Sequence, residues 1–205
     1  MRGRQVQPLL HRPPLRLPRR SGLHLPADPG DDGVSLRAEL AELLSGAVTI
    51  VGIGNPVRGD DAFGSLLARL LAGRVRALVI DAEDVPENFV LAAITASPDA
   101  VLFFDAIDLG EAPGTAALLS ARELSSYMAS THRMPLSMLM EIVRRETGAR
   151  VAVLAVQPGH TELAMPPSPE VAASAASLAE LLIDVLPSGR VAPCGPSGAE
   201  RSASC

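Results

Sequence analysis

Short apolar segments alternate with longer helical patterns from Ala47 to Leu186, and this alternation constrains the fold more than any other feature. The strand candidates are AVTIVGI, VRALVIDA, AVLFFDAI and ARVAVLAVQP, and the helix candidates are DAFGSLLARLLAG, PENFVLAAITA, MPLSMLMEIVRRETG and SPEVAASAASLAELLIDVL. AVLFFDAI is nearly all apolar, which is typical of a strand buried on both faces. The pattern predicts an open α/β sheet with helices on both faces, in which ligands bind at the carboxyl ends of strands.

Turn and cap residues mark the ends of these elements. Gly73 and Gly148 are placed to end helices, and Pro135 is placed to begin one. Ser168 is placed to cap the last helix. The segment DLGEAPGTAALLS combines a Gly/Pro turn with a short apolar run. We predict that this run is a strand that lies antiparallel at one edge of the sheet.

The two ends of the chain differ in composition from the predicted domain, residues 47–186. Residues 1–35 are rich in arginine and proline, and we predict a disordered extension or a start codon assigned too early, with a targeting signal as the less favoured alternative. Residues 36–46 are a short helix or a linker, with Leu36, Leu40 and Leu43 on one face. Residues 187–205 are a low-complexity tail that we also predict to be disordered.

Composition excludes several classes of function. The chain of 205 residues has a formal net charge of −5 and only 2% aromatic residues, which argues against binding nucleic acid. No apolar run is long enough to cross a bilayer, so we expect no membrane insertion. Cys194 and Cys205 lie in the last dozen residues with no cysteine or histidine partner nearby, so a cysteine-based metal site or nucleophile is not expected.

The loop GIGNPVRGDDAFG resembles a phosphate-binding turn only in part. A dinucleotide fingerprint requires a third glycine where this chain has Val57, although Asp81 at the end of the second strand matches the ribose-binding acid. Asp60 and Asp61 stand at the start of the following helix, where a pyrophosphate would have to bind. Two carboxylates there would repel the phosphate, so nucleotide binding is disfavoured.

Carboxylates at strand ends fit a cation better. Asp61 follows the first strand and Asp105 ends the third, so their side chains converge if the two strands are neighbours. His132, just before a helix, could complete a site for a divalent metal with open positions. Structural roles stay open for all three: Asp60 or Asp61 could cap the helix, with Asp60 favoured, Asp105 could begin a turn, and His132 could be a cap or a solvated residue.

The motifs GIGNPVRGDDAFG, DAEDVPEN, FFDAIDLGEAPGT, STHRMPLSMLMEIV and AVQP, in this order, resemble those of the hydrogenase maturation endopeptidases. PEN and THRMPL are most similar to the branch that matures the hydrogenase of formate hydrogenlyase. The resemblance covers roughly residues 48–186. It implies an α/β sandwich of three layers, with a mostly parallel five-stranded sheet, helices on both faces and one antiparallel edge strand.

The resemblance also implies an activity and its site. Members of this family remove a C-terminal extension from the large-subunit precursor of nickel–iron hydrogenases. The nickel is carried by the precursor, and another divalent cation can substitute for it. By motif position, the residues that contact the metal and carry catalysis are Asp61, Asp105 and His132. We expect a cytoplasmic monomer whose partner is this precursor.

Other residues near the predicted site have two interpretations each. His160 is a peripheral fourth contact or a loop residue, and Arg58 faces solvent or meets acidic groups of the substrate. Glu87 and Asn88 dock the precursor or cap their helix. The alternative functions are a non-catalytic α/β module that binds a nucleotide or a metal, and a partner in hydrogenase assembly.

Overall fold

The computed structural model describes residues 32–127 and 135–187, which form a five-stranded sheet between two layers of helices. The strands lie in the order β2-β1-β3-β5-β4, in which β4 is an antiparallel edge strand and all other neighbours are parallel. The strands are β1 (Val48–Gly52), β2 (Leu78–Asp81), β3 (Ala100–Ala106), β4 (Ala116–Leu119) and β5 (Arg150–Val156). The predicted fold class, including the antiparallel edge strand, is confirmed.

Six α-helices accompany the sheet in the described residues. They are α1 (Asp32–Leu43), α2 (Phe63–Leu71), α3 (Val90–Thr95), α4 (Ala121–Leu124), α5 (Leu136–Thr147) and α6 (Pro169–Val185). The predicted second and third helices each begin with a 3-10 turn, Gly59–Ala62 before α2 and Pro86–Phe89 before α3. Helix α4, which was not predicted from the sequence, begins with a capping box between Ser120 and Glu123.

The core has one apolar layer on each face of the sheet. Helices α1, α2 and α6 pack on one face, and α3, α4 and α5 pack on the other. Alternate residues of β3 enter the two layers: Leu102 and Phe104 pack on the first face, and Val101 and Phe103 on the second. All four side chains are buried, which confirms that this apolar strand is covered on both sides.

The cap residues act as predicted at the later helices. Pro135 stands just before α5, and Gly148 ends that helix in the left-handed conformation that glycine adopts without strain. The Ser168 hydroxyl accepts a hydrogen bond from the Val171 N–H at 3.4 Å and so caps α6. These signals were sufficient to predict the helix ends because each involves residues that are close together in the chain.

Helix α1 corrects one predicted boundary. It begins at Asp32, within the stretch assigned to the disordered extension, and Leu36 and Leu40 are fully buried in the core of the domain. The apolar face was correctly predicted, and its burial shows that the helix packs against the domain rather than acting as a linker. The rest of the predicted extension and the tail after residue 187 lie outside the described residues. No helix in the described ranges has the length and apolar character needed to span a membrane.

Candidate functional site

The carboxyl ends of β1 and β3 lie side by side at the centre of the sheet, at the position where an open α/β sheet has its ligand-binding crevice. From β1 the chain moves outward to β2 and then returns to β3 on the opposite side of β1. A reversal of this kind leaves an opening between the two strand ends, where α/β proteins bind their ligands. The Ile53 N–H donates to the Phe104 carbonyl at 2.9 Å, so the glycine loop lies directly beside the residue that precedes Asp105.

Glycines in this loop permit close contact between the strand end and α2. A Cβ atom on Gly52 would lie 2.2 Å from the Gly64 carbonyl oxygen, and one on Gly64 would lie 2.1 Å from the Ile53 carbonyl oxygen. Any larger residue would therefore push the helix away from the sheet. The glycines fix the position of the loop by close packing, a role that needs no phosphate.

Asp61 is the half-buried carboxylate of the glycine loop. Its Oδ2 accepts a hydrogen bond from the Asn55 N–H at 3.2 Å, across the turn. Asn55 in turn accepts a hydrogen bond from the Val57 N–H through its own side chain at 3.1 Å. The local turn therefore holds Asp61 in place, and Asn55 is a supporting residue to which the sequence analysis assigned no role.

Asp105 stands at the end of β3 and is also half-buried. Burial and the nearby negative charge of Asp61 raise the pKa of the Asp105 carboxyl to about 8, although a hydrogen bond from the Ala106 N–H acts in the opposite direction. The two aspartates therefore interact, as predicted for neighbouring strand ends. A carboxyl group whose ionisation is opposed by a neighbouring carboxylate is in an environment that a divalent cation would stabilise.

The third predicted ligand, His132, lies outside the described residues. Within residues 32–127 and 135–187, no group of three or more His, Cys, Asp or Glu side chains has an arrangement suited to a metal ion. The structure thus brings together two of the three predicted site residues, Asp61 and Asp105.

Asp60 has a different partner from the one expected. No side chain caps the turn Gly59–Ala62 or helix α2, so the Asp60 side chain is not a helix cap, although the Asp60 carbonyl accepts a hydrogen bond from the Phe63 N–H. Its fully buried carboxylate instead accepts four hydrogen bonds from a distant segment. The donors are the N–H groups of Gly159 (2.7 Å), His160 (3.0 Å) and Ser168 (2.6 Å) and the Ser168 hydroxyl (3.0 Å).

These hydrogen bonds determine the ionisation state of Asp60. Burial alone would raise its pKa, but the bonds from Ser168, His160 and Gly159 outweigh burial and lower the pKa below its ordinary value. Asp60 is therefore an ionised residue that joins the glycine loop to the start of α6. The prediction that one member of the aspartate pair is structural, and that this member is Asp60, agrees with these contacts.

The side chain of His160 packs against the glycine loop, close to Gly59. Its Nδ1 atom is buried and makes no hydrogen bond to any described residue. The backbone of His160 exchanges hydrogen bonds with Asp60, its carbonyl accepting from the Asp60 N–H at 2.9 Å. Among the described residues, His160 therefore acts as a packing residue of the loop, through its contacts with Gly59 and Asp60.

The remaining predicted residues differ in their surroundings. Arg58 is exposed, and its guanidinium donates to the Thr161 carbonyl at 3.4 Å. Glu87 and Asn88 are exposed in the turn Pro86–Phe89, which has no side-chain cap, so the capping interpretation of these two residues is wrong. The cap is absent because Val85, with no polar side chain, precedes the turn.

Asp81 is engaged within the protein. Its carboxylate accepts hydrogen bonds from the Ser65 hydroxyl and from Arg69 Nε, the latter at 2.7 Å, both on α2. An acid that binds ribose would have its oxygens directed to the ligand. The ion pair with Arg69 therefore gives this strand-end aspartate a structural role and weakens the dinucleotide interpretation further.

Gln157, in the motif AVQP, is a buried polar residue for which the sequence predicted no role of its own. Its Oε1 accepts hydrogen bonds from the N–H groups of Leu109 at 2.6 Å and Glu111 at 3.3 Å, and its Nε2 donates to Asp108. These bonds fix the loop that follows β3, next to Asp105. The sequence signal for this role was a glutamine directly after an apolar strand. It did not identify the partners Leu109, Glu111 and Asp108, because they lie more than 40 residues away in the chain.

Known proteins resemble this chain both in sequence and in fold. Residues 64–185 match the family model described as hydrogenase maturation protease. The Hydrogenase 3 maturation protease of Escherichia coli K12 is 34% identical over 109 residues, which are 52% of this chain and 69% of that protein.

Two solved structures extend the comparison. One is the [NiFe] hydrogenase maturation protease HycI from Thermococcus kodakarensis, with a TM-score of 0.68 and 35% identity over 72% of this chain and 98% of that one. The other is the solution structure of the endopeptidase HycI from Escherichia coli, with a TM-score of 0.61 and 28% identity over 66% of this chain and 88% of that one. With the match of residues 64–185, these similarities show that the chain belongs to the hydrogenase maturation protease family and is an endopeptidase.

Proposed function

We propose that this endopeptidase removes the C-terminal extension of a [NiFe] hydrogenase large-subunit precursor that already carries nickel. Family membership supports the reaction class, and the Thermococcus kodakarensis relative is described as a [NiFe] hydrogenase maturation protease. The observation that carries the proposal is the pairing of Asp61 and Asp105 at the crevice between β1 and β3. This pairing supports the proposal because two carboxyl groups at a strand-end crevice suit a substrate that carries a divalent metal.

Asp61 and Asp105 contact the nickel of the precursor in this proposal, together with His132. Two carboxylates and an imidazole suit a divalent ion of intermediate hardness, and they leave coordination positions for the precursor's own ligands. Asp105 carries a proton through much of the neutral range because its pKa is about 8. Contact with the cation favours release of this proton, so the site recognises a precursor with nickel better than one without it.

Two routes to peptide-bond hydrolysis are compatible with these residues. The metal of the precursor supplies Lewis-acid chemistry, which polarises the scissile carbonyl or activates a water. Alternatively, one aspartate removes a proton from the attacking water. In both routes Asp61 is held by the Asn55 N–H, so the glycine loop orients the carboxylate before the substrate arrives.

The proposed setting of the reaction is the cytoplasm, with the enzyme acting as a monomer. A monomer leaves the crevice accessible to a large protein substrate. Size-exclusion chromatography with light scattering should give the mass of one chain, and a stable dimer that covers the crevice would contradict this part of the proposal.

Nickel dependence is the direct test of the proposed substrate. Purified enzyme is mixed with the precursor in nickel-loaded and nickel-free forms, and release of the C-terminal peptide is followed by mass spectrometry. We expect cleavage of the loaded form only, and loss of at least about a hundredfold in rate for His132→Ala. Equal cleavage of both forms would contradict nickel recognition, and cleavage of neither would contradict the substrate.

A further inference from the structure

Three exposed apolar side chains lie on two neighbouring loops beside the candidate site. Val57, Leu163 and Met165 are 56%, 73% and 45% exposed, and they are half of the six large apolar side chains exposed in the described ranges. Two backbone hydrogen bonds join the loops, from the Ala164 N–H to the Val57 carbonyl (2.7 Å) and from the Gly59 N–H to the Met165 carbonyl (3.0 Å). Isolated exposed apolar residues are ordinary, but a cluster marks an interaction surface. We call these three residues the apolar patch.

The loop that carries Leu163 and Met165 is fixed at both ends by one buried carboxylate. Asp60 binds the N–H groups of Gly159 and His160 at the start of the loop, and the Ser168 N–H and hydroxyl at its end. Residues 161–166 between these anchors are all exposed. A surface loop with both ends fixed to one point is preformed, so binding to it requires little ordering of the chain.

The backbone is strained at the centre of the patch. Ala164, between the two exposed residues, has a φ of +61°, a left-handed conformation that residues with a Cβ atom adopt rarely. Strained residues of this kind concentrate where a protein contacts a ligand. The loop thus combines an unfavourable backbone conformation with two exposed apolar side chains, Leu163 and Met165. Neither feature stabilises the described fold.

The apolar patch is continuous with the candidate site. Arg58, next to Val57, accepts a hydrogen bond from the Asp61 N–H through its carbonyl at 3.1 Å, so the patch and the Asp61 carboxylate belong to one turn. The Arg58 guanidinium is exposed beside the patch, and among residues 32–127 and 135–187 its hydrogen bond is a long one of 3.4 Å to the Thr161 carbonyl. An acidic group on a partner could replace that contact with a stronger, charge-assisted one.

We propose that the apolar patch docks an apolar segment of the precursor next to the scissile bond, with an acidic group of the precursor meeting Arg58. This inference rests on the proposed function, because the occupant is the protein that the crevice processes. Binding by a surface that does not itself contact the metal contributes to affinity for the whole precursor, and it adds to the recognition provided by nickel. The patch should therefore affect KM much more than kcat.

The test compares two double variants of matched exposure. Leu163→Glu/Met165→Glu places two charges on the patch, and Leu91→Glu/Met138→Glu places two charges on exposed positions of α3 and α5 (73% and 52% exposed). Steady-state cleavage of the nickel-loaded precursor is measured for both, and thermal unfolding shows that both are folded. We expect the patch variant to raise KM about tenfold or more with kcat within about twofold, while the control stays near wild type.

Several results would overturn the inference. An unchanged KM in the patch variant would do so, as would an equal rise in the control or a loss of kcat alone. Conversion of a dimer to a monomer with unchanged KM would assign the patch to self-association instead. Leu163→Ala/Met165→Ala, which removes apolar surface without adding charge, should shift KM in the same direction by a smaller factor.

A binding measurement separates failure of the inference from failure of the proposed function. Binding of the intact precursor to Asp61→Asn protein, with and without the patch substitutions, is followed by calorimetry. If wild type does not cleave the precursor although binding depends on the patch, the docking inference stands and the proposed reaction does not. If wild type cleaves the precursor but the patch substitutions do not change its binding, the docking inference is wrong and the proposed reaction stands.

Discussion

Asp60 and Asp61 are adjacent in the chain, yet they have opposite environments. Asp60 is fully buried and satisfied by four donors from residues 159–168, so it stays ionised. Asp61 is half-buried, receives one backbone hydrogen bond from Asn55, and acts on the ionisation of Asp105. The difference arises from the surroundings of each carboxylate rather than from the sequence of the pair. In the proposed function it is Asp61, with the fewer hydrogen bonds, that contacts the cation.

Asp105 should make the stability of the metal-free protein depend on pH. Its carboxyl has a folded pKa of about 8 against an ordinary 3.8, so ionisation opposes folding as the pH rises from about 4 to about 8. Asp105→Asn removes this penalty. Urea unfolding should therefore show the variant gaining stability over wild type across that range, by about 2 kcal/mol or more, and no further gain above pH 8.

A second substitution checks the cause of that pH dependence. Asp61→Asn removes the neighbouring negative charge, so the midpoint of the Asp105 titration should move to lower pH while burial still holds it above the ordinary value. If Asp61→Asn leaves that midpoint unchanged, the two carboxyl groups are not coupled; if Asp105→Asn and wild type differ by a constant amount between pH 4 and 9, the raised pKa of Asp105 is itself wrong.

At the scale of elements, one carboxylate connects parts of the chain that are far apart in sequence. Asp60 joins the turn before α2 to the loop 159–168 and to the first residues of α6. The same loop carries two residues of the apolar patch, and the turn carries Asp61. The position of the candidate site and the position of the patch therefore depend on the same set of hydrogen bonds.

Loss of the Asp60 carboxylate should destabilise the fold. Asp60→Asn replaces one acceptor oxygen with a donor that faces other N–H groups, and we expect a loss of about 3 kcal/mol of unfolding free energy at pH 7. Glu146→Gln, at an exposed position of α5, should cost less than about 1 kcal/mol. Chemical denaturation measures both.

The pH dependence of this loss follows from the sign of the shift. Because the pKa of Asp60 is lowered in the folded protein, its stabilisation is present above about pH 4 and disappears as the pH falls through the folded pKa. The difference between wild type and Asp60→Asn should therefore shrink in acid. A difference that grows below pH 4 would show that the carboxylate is not the stabilising group.

The sequence predicted elements and their ends better than it predicted contacts between them. Apolar runs, Pro135, Gly148 and Ser168 were sufficient for the strands and later helices, because those signals are local. The convergence of Asp61 and Asp105 depended on β1 and β3 being neighbours, which the sequence allowed but did not require. The partners of Asp60 lie about 100 residues away in the chain, so no local pattern distinguished this role from a helix cap.

At the scale of the whole molecule, α1 belongs to the same folded unit as the sheet. Leu36 and Leu40 are buried in the layer that also contains α2 and α6, and Arg37 pairs with Asp184 at 2.9 Å. The predicted boundary at residue 35 therefore cuts through a helix of the domain. A core that includes α1 covers one face of the sheet more completely than the predicted domain 47–186 would.

Truncation of one α1 side chain tests this larger domain. Leu40→Ala should lower the unfolding free energy by about 2–5 kcal/mol, because it opens a cavity in a fully buried region. Glu42→Ala, at an exposed position of the same helix, should change it by less than about 0.5 kcal/mol. Equal stability of Leu40→Ala and wild type would mean that α1 does not share the cooperative unfolding of the sheet.

The central claim is that Asp61 and Asp105 form the site at which the nickel-loaded precursor is cleaved. Single-turnover cleavage of that precursor by Asp61→Asn, Asp105→Asn and Asp81→Asn tests it most directly. Asp81 is the matched control, because it also ends a strand but is engaged by Arg69. We expect the first two variants to lose at least about a hundredfold in rate while Asp81→Asn keeps near wild-type cleavage. Near wild-type cleavage by Asp61→Asn or Asp105→Asn would contradict the claim.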